Sequence, residues 1–390
     1  MNAVSQEATS PAPAENTSNR LLFLYDGEFD VNNGVSSYIR TIGNFAAQEG
    51  CEVSYLVGNS QIDSPDVTSI SRTFSVSASG SRSAVPFFTP QRAIDETLER
   101  LNPDAVHVQA GYVPFMSGKV LKSLNKNTRL VGTFHNSMPY GWLRKVTNLN
   151  ALLTSSQLGQ FDSLFSVSET AQAAAKEIYG VDTEILPCPV DTALFSENSA
   201  SIDNSEATTI TFIGRIVARK GLSTFIDSLR LLDDATLAQI EVNIIGDGSE
   251  KEAIERAVAQ TELSPITRFM GQVDDATKNR TLKSSDVVVV TSSGGESLGI
   301  VLLEAMAAKR PVVLASRIEG YSEVLAGLPE SLVPQDRPDK LAQSLKALIQ
   351  NRGKRAATLE VQKRIIRKYD IKETVGPRLM QAYGFAKEEI

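Results

Sequence analysis

Two glutamates set in a glycine-rich stretch form the first group whose spacing suggests chemistry. Residues 294–304 read Gly-Gly-Glu-Ser-Leu-Gly-Ile-Val-Leu-Leu-Glu, with Glu296 in the turn and Glu304 on the segment after it. The apolar run 287–291 just before reads as a strand, and 300–308 as a helix. Glycine lets the backbone turn sharply and lets a ligand come close. A helix start offers unpaired N–H groups at the positive end of its dipole, which suits an anion or sugar hydroxyls. Taken singly, Glu296 reads as a capping carboxylate and Glu304 as an ordinary helix acid; together with Leu298, Gly299 and Ile300 they outline a ligand-binding turn.

Residues 212–221, Phe-Ile-Gly-Arg-Ile-Val-Ala-Arg-Lys-Gly, form a second such group. A strand ends in Gly214, and Arg215 and Lys220 flank the turn that follows. A guanidinium grips phosphate oxygens as a fork, and an ammonium adds a mobile point charge. When a diphosphate leaves a sugar it gains negative charge, and preplaced cations stabilise that charge more in the transition state than before it. A solvated basic loop is the plainer alternative. A third group is Asn32-Asn33-Gly34-Val35-Ser36 after the first strand, where an Asn-Gly turn or a phosphate-facing helix start both fit. It lacks the full G-x-G-x-x-G pattern of dinucleotide sites. Of the two histidines, His107 lies within an apolar strand and reads as core. His135 follows the run 130–134, at the strand end where ligands collect and where an imidazole can bond a sugar hydroxyl.

The elements that must carry these groups alternate. Strands are expected at 21–25, 53–57, 105–108, 130–134 and 164–167, with helices at 35–48 and 92–101. The pattern restarts with strands at 210–213, 242–245, 269–271, 287–291 and 312–315 and helices at 222–231, 250–260 and 300–308. Such alternation means parallel sheets covered on both faces. The chain therefore divides into a tail (1–20), an α/β doubly wound half (21–195), a polar Ser/Asn-rich linker (196–206), a second doubly wound half (207–370) and a C-terminal helix (371–390) able to cross back. Two facing Rossmann-like halves make a cleft, and ligands settle at the carboxyl ends of their strands. Residues 59–90 are expected to be loops.

The 390 residues suit two domains, and 42% hydrophobic with 22% charged residues is a soluble balance. A net charge of −7 argues against nucleic acid as the main partner. Cys51 and Cys188 imply neither a zinc site nor a disulfide framework, and a reducing, cytoplasmic setting fits; with cations at the turns and no Asp-x-Asp motif in a suitable loop, no catalytic metal is expected. Residues 1–20 hold no apolar run, and nowhere does one approach the roughly 18 residues of a membrane span. Seven Lys and Arg lie in 351–369, read as a solvated helix face, or as a patch for anionic lipid at the inner membrane face.

The paired glutamates and the Gly-Arg…Arg-Lys-Gly loop resemble the donor signature of family 4 of the glycosyltransferases, which have the GT-B fold of two facing Rossmann-like domains. The similarity extends over roughly 208–325 and is nearest to the phosphatidylinositol mannosyltransferases of mycobacteria. It includes 271–278, Gly-Gln-Val-Asp-Asp-Ala-Thr-Lys, and is thinner at Phe29-Asp30-Val31, Gly34-Val35 and Thr133-Phe134-His135. The resemblance implies a retaining hexosyltransferase. In it Arg215 and Lys220 bind the donor diphosphate, with Gly214 in their turn. Glu296 and the N–H groups from Leu298 to Ile300 hold the transferred sugar, and His135 touches that sugar. Glu304 binds the ribose, Gly34 approaches the diphosphate, and Val273, Asp275 and Lys278 surround the base. A carboxylate accepts from both N1–H and N2–H of guanine, so Asp275 favours GDP-mannose as donor. On the acceptor side the chain departs from those relatives. The 91–101 helix sets Arg92 and Arg100 against Asp95, Glu96 and Glu99, and Gly27, Asn33 and Tyr140 replace the expected tyrosine, glycine and lysine. The expectation is a mannosyltransferase acting on a lipid-linked or glycan acceptor, phosphatidylinositol-like lipids included, with at most weak peripheral membrane contact. A UDP-sugar-dependent transferase with a soluble acceptor and a catalytically idle sugar-nucleotide-binding relative are the alternatives; intact Arg215, Lys220, Glu296 and Glu304 speak against the latter, and an epimerase of this fold lacks identifiable acid/base residues.

Overall fold

A computed structural model describes residues 18–29, 34–78, 81–110, 116–135, 157–195 and 207–386. In the first half, β1 (Arg20–Glu28), β2 (Glu52–Asn59), β3 (Val67–Ser69), β4 (Arg72–Ala78), β5 (Ser81–Phe88), β6 (Ala105–Ala110), β7 (Arg129–Phe134), β8 (Ser163–Ser166) and β9 (Glu184–Ile185) succeed one another. Seven of them build a parallel sheet ordered β3-β2-β1-β6-β7-β8-β9. Leu21, Leu22, Phe23 and Leu24 are all buried, as a strand covered on both faces requires. Helix Gly34–Gln48 lays Tyr38, Ile39, Ile42 and Phe45 on one face of this sheet, the helical spacing of its apolar residues making that stripe.

The second half repeats the plan with β10 (Thr208–Ile213), β11 (Ile240–Ile245), β12 (Thr267–Gly271), β13 (Val287–Val290), β14 (Val312–Ser316) and β15 (Leu332–Val333). Their order is β12-β11-β10-β13-β14-β15, all parallel. The strand order reverses between β1 and β6 in one sheet and between β10 and β13 in the other, and ligands of doubly wound sheets bind outside such switch points. The turns singled out in the sequence leave β1, β10 and β13, three of these four strands.

Three expectations change. Residues 59–90 are not simply loops: β3 joins the sheet, and β4 and β5 pair as an antiparallel hairpin, Phe74 opposite Val85 and Arg72 opposite Phe88. The alternation Phe74-Ser75-Val76-Ser77-Ala78 is the period of a strand, masked by its serines. The hairpin leaves Phe74, Phe87 and Phe88 half-exposed, with Phe74 and Phe87 6.0 Å apart between ring centres. Arg20, assigned to the tail, already belongs to β1, where its backbone N–H and guanidinium bond Asp104 at 2.9 Å. The basic segment is only in part a solvated face. It forms helix Arg352–Ile366, whose buried Gln362 accepts from Val313 N and donates to Pro311 O.

The chain returns to the first half at its end. Asp370 accepts from the N–H groups of Lys372 and Glu373, turning the backbone. One π-helical turn, Ile371–Val375, then leads into helix Gly376–Tyr383. This helix packs on helix Gly34–Gln48 and β7. The Tyr383 hydroxyl and His107 Nδ1 are 2.6 Å apart, and Arg378 pairs with Glu184. The linker 196–206 lies outside the described residues.

Candidate active site

The cationic turn after β10 is short. Ala218–Lys220 make one 3-10 turn, and Gly221, at φ 69°, opens helix Leu222–Arg230. The turn after β13 lies against it, because Ser293 N donates to Arg219 O at 2.8 Å. Lys220 Nζ is 2.8 Å from Glu296 Oε1, and the Arg219 guanidinium bonds the same oxygen. Burial alone would raise the Glu296 carboxyl, but Lys220 and Arg219 outweigh it and hold the group below its ordinary range. Burial lowers Lys220 despite the attraction of Glu296. Arg215, whose side chain reaches the surface, is lowered by desolvation and then by the charge of Arg219, and also feels Glu296. Three cations thus face one carboxylate, an excess of positive charge suited to a diphosphate.

Gly299, at φ 92°, precedes helix Ile300–Ala307; a Cβ there would lie 2.5 Å from the ring of buried Tyr321, so only glycine fits. The Tyr321 hydroxyl donates to Ser292, tying the turn down from below. Among the described residues, none of the backbone N–H groups of Leu298, Gly299 and Ile300 donates to another group. The other half meets this helix end: a Cβ on Gly34 would sit 3.4 Å from Ile300 Cδ1. Gly34 and Ile300 are each the first residue of a helix, so two positive dipole ends converge between the halves. Asp30, Val31, Asn32, Asn33 and Tyr140 lie outside the described residues.

At the far end of the second half, Glu304 accepts from Lys278 Nζ at 2.8 Å, and Asp275 lies 2.9 Å from the same ammonium. Asp275 and Lys278 share helix Asp275–Ser284, one turn apart, with Asp274 capping it through Thr277 N. Val273 is half-buried against the core just before. A Cβ on Gly214 would meet only ordinary contacts, the nearest at 3.9 Å from Lys220 and Phe212, so packing does not require a glycine there.

His135 is buried after β7. Its Nε2 lies 2.7 Å from Gln109 Oε1, and its ring stands edge-on to Tyr38 with ring centres 4.6 Å apart. The Gln109 amide donates to His107 O, so its oxygen faces the imidazole, and Nε2 carries the hydrogen. Burial pushes both histidines down to about 3, so they are neutral at physiological pH. His107 is more than core packing: Tyr383 and Thr133 hold its two ring nitrogens. The structure therefore joins Arg215, Lys220 and Glu296 in one group and Asp275, Lys278 and Glu304 in another. It places His135 on the opposite wall, beside the Gly34 helix. Arg219, Ser292, Tyr321 and Gln109 were not assigned from sequence; of these only Arg219, inside the cationic stretch, carried a visible signal.

Two doubly wound halves with cationic and carboxylate turns at their switch points, facing each other through helix N-termini, define a GT-B glycosyltransferase. The chain belongs to family 4 of these enzymes: residues 32–194 match Glycosyltransferase Family 4, and residues 196–365 match Glycosyl transferases group 1. It is similar to the phosphatidyl-myo-inositol mannosyltransferase of Mycolicibacterium smegmatis, 31% identical over 362 residues and 91% of each chain. A solved glycosyltransferase from Rickettsia africae ESF-5 superposes with a TM-score of 0.70 at 16% identity, covering 96% of this chain and all of that one. Anabaena HepE, solved in complex with UDP, gives 0.66 at 15% identity over 94% of this chain and 100% of that one. The protein is a hexosyltransferase enzyme. Among the described residues no helix is long and apolar enough to cross a membrane.

Proposed function

We propose that the protein transfers mannose from GDP-mannose, with retention of anomeric configuration, to a lipid-linked or glycan acceptor. The observation that carries this reading is the convergence of Arg215, Lys220 and Glu296 with the helix starts at Gly34 and Ile300. The similarity to a phosphatidyl-myo-inositol mannosyltransferase supports mannose and a phosphatidylinositol-like lipid.

In this reading the donor lies across the carboxyl ends of β10 and β13. Its diphosphate takes Arg215, Lys220 and the two helix ends, with Gly214 and Gly34 allowing close approach. These groups replace a catalytic metal in neutralising the leaving diphosphate. Glu296 and the N–H groups of Leu298, Gly299 and Ile300 hold the hexose hydroxyls, and the second ring nitrogen of neutral His135 accepts from one of them. Glu304 accepts from the ribose hydroxyls, and Val273, Asp275 and Lys278 form the base end. As the bond between the anomeric carbon and the diphosphate breaks, the acceptor oxygen bonds that carbon from the same face and gives its proton to the departing diphosphate, which yields retention. The site is reached from the cytoplasm, with at most weak contact to the inner membrane face.

A UDP-sugar donor is the second reading, favoured by two observations. Asp275, the guanine reader, is engaged by Lys278, and the structurally similar HepE was solved with UDP. Incubating the purified protein with GDP-mannose, UDP-glucose and UDP-GlcNAc, and following hydrolysis and thermal shift, separates the two. Turnover of GDP-mannose alone is expected; turnover of a UDP-sugar alone would overturn the mannose assignment.

A further inference from the structure

Three cations crowd the turn after β10, but they are not bound alike. Arg219 donates to Gly294 O at 2.6 Å and to Glu296 Oε1, while its own carbonyl accepts from Ser293 N. A Cβ on Gly295 would rest 3.5 Å from its guanidinium. The residue therefore grips the 293–296 turn by side chain and backbone together. Lys220 makes one contact with that turn through its side chain, to Glu296 Oε1. Among the described residues every hydrogen bond or ion pair to Glu296, including that from Ser292 at 3.4 Å, falls on Oε1 and none on Oε2.

We infer that Arg219 is a positioning residue that fixes Glu296 for the hexose. It holds Oε1, so Oε2 is presented to the sugar hydroxyls, and it stays with the carboxylate when Lys220 turns to the diphosphate. The inference rests on the donor-site reading above. Its physical basis is the difference between the two cations. A planar guanidinium whose Nη1 is committed to two acceptors is held in place, whereas an ammonium on a four-carbon stem moves with little cost. A half-buried carboxylate that lost both cations would be left uncompensated, which is strongly unfavourable. Arg219 removes that penalty and frees Lys220 to move. Recognition of the hexose and recognition of the nucleotide then depend on different cations of one short loop.

Calorimetric titration with GDP and with GDP-mannose tests this on the full chain, comparing the parent with Arg219→Met, Arg219→Lys and Lys220→Met. Arg219→Met is expected to weaken GDP-mannose roughly ten- to a hundredfold, the worth of a charge-assisted hydrogen bond. Its GDP affinity should change less than about twofold on the same grounds, since GDP carries no hexose. Arg219→Lys should recover part of the loss, and Lys220→Met should weaken both ligands. The ratio of the two constants is the decisive quantity, because a loosened fold would lower both together. Equal losses in Arg219→Met, through a lost diphosphate contact or a loosened loop, leave the ratio unchanged and overturn the inference, as does an Arg219→Met that binds both ligands like the parent. Should Arg219→Met fail to fold, the ratio is read from Arg219→Lys and Arg219→Gln. If the parent binds only the UDP pair, UDP and UDP-glucose give the same ratio. Lys220→Met and Glu304→Ala that leave both constants untouched would sink the donor-site reading itself, and this inference with it.

Discussion

Lys278 and Glu304 come from different helices and meet at 2.8 Å, and the same ammonium also reaches Asp275. Burial lowers Lys278, but the two carboxylates outweigh it and leave the group above its ordinary value. A nucleoside entering here must share or displace that ammonium. Displacement frees Glu304 for ribose and Asp275 for a base edge. Base selectivity should therefore reside in Asp275. GDP is expected to protect the protein against heat, by about 2.7 kcal/mol at a hundred times its dissociation constant. UDP should protect much less, and Asp275→Asn should narrow the difference. Equal protection by UDP in the parent chain would contradict the guanine assignment.

Arg215→Ala and Lys220→Ala should each lower turnover on the order of 10²–10³-fold, the cost of losing one preplaced donor at comparable sites. Stability should fall far less, since Glu296 keeps Arg219 when Lys220 is removed. Steady-state rates set beside denaturation midpoints measure both. Near-normal turnover in either variant would mean that the loop is merely solvated.

Retention predicts an α linkage in the product made from GDP-α-mannose. An inverting enzyme needs a base to deprotonate the attacking hydroxyl on the opposite face. His135, on the wall facing the donor turns, is pushed by burial down to about 3, too weak a base for that step at physiological pH. NMR of the purified product decides it, and a β linkage would refute the mechanism.

The two buried histidines make stability depend on pH. Both have folded values near 3, against about 6.5 when unfolded. Between those limits the unfolded chain binds more protons, so stability rises with pH. Each histidine adds up to about 1.4 kcal/mol per pH unit, a contribution complete above the unfolded value and lost as pH falls through the window. Urea unfolding between pH 4.5 and 6.5 should show this slope, and His135→Gln should reduce it by one proton. A slope identical in the variant would show that His135 takes up no proton on unfolding there.

Vesicle binding should be weak and sensitive to salt. Each Lys or Arg near an anionic surface contributes about 1 kcal/mol. Within helix Arg352–Ile366, however, Lys363 is paired with Glu360 and the Arg355 guanidinium bonds Ile349 O. Cosedimentation with anionic vesicles at low and physiological salt measures the effect. Tight binding that survives salt would require apolar insertion instead, and Phe87→Ser with Phe88→Ser on the hairpin would then be expected to abolish it.

The elements of this fold are written locally. Four consecutive valines in β13, the glycines after them and the apolar run 300–307 spell strand, turn and helix within about twenty residues, because period and turn preference act over that range. The same local grammar marks Arg215 and Lys220 beside a strand end and Gly34 at a helix start. It failed for the β4–β5 hairpin, where serines dilute the alternation.

Sequence alone determined the class of the protein, its two halves and the cations and carboxylates at their strand ends. Tertiary structure decided which of those charges are partners. Arg219 meets Glu296 across 77 positions, Lys278 meets Glu304 across 26, and Tyr383 returns across 276 to hold His107. No local preference encodes such meetings. They follow from the order in which parallel strands are laid beside one another, and that order is selected by burial of whole sheet faces rather than by any neighbouring residue.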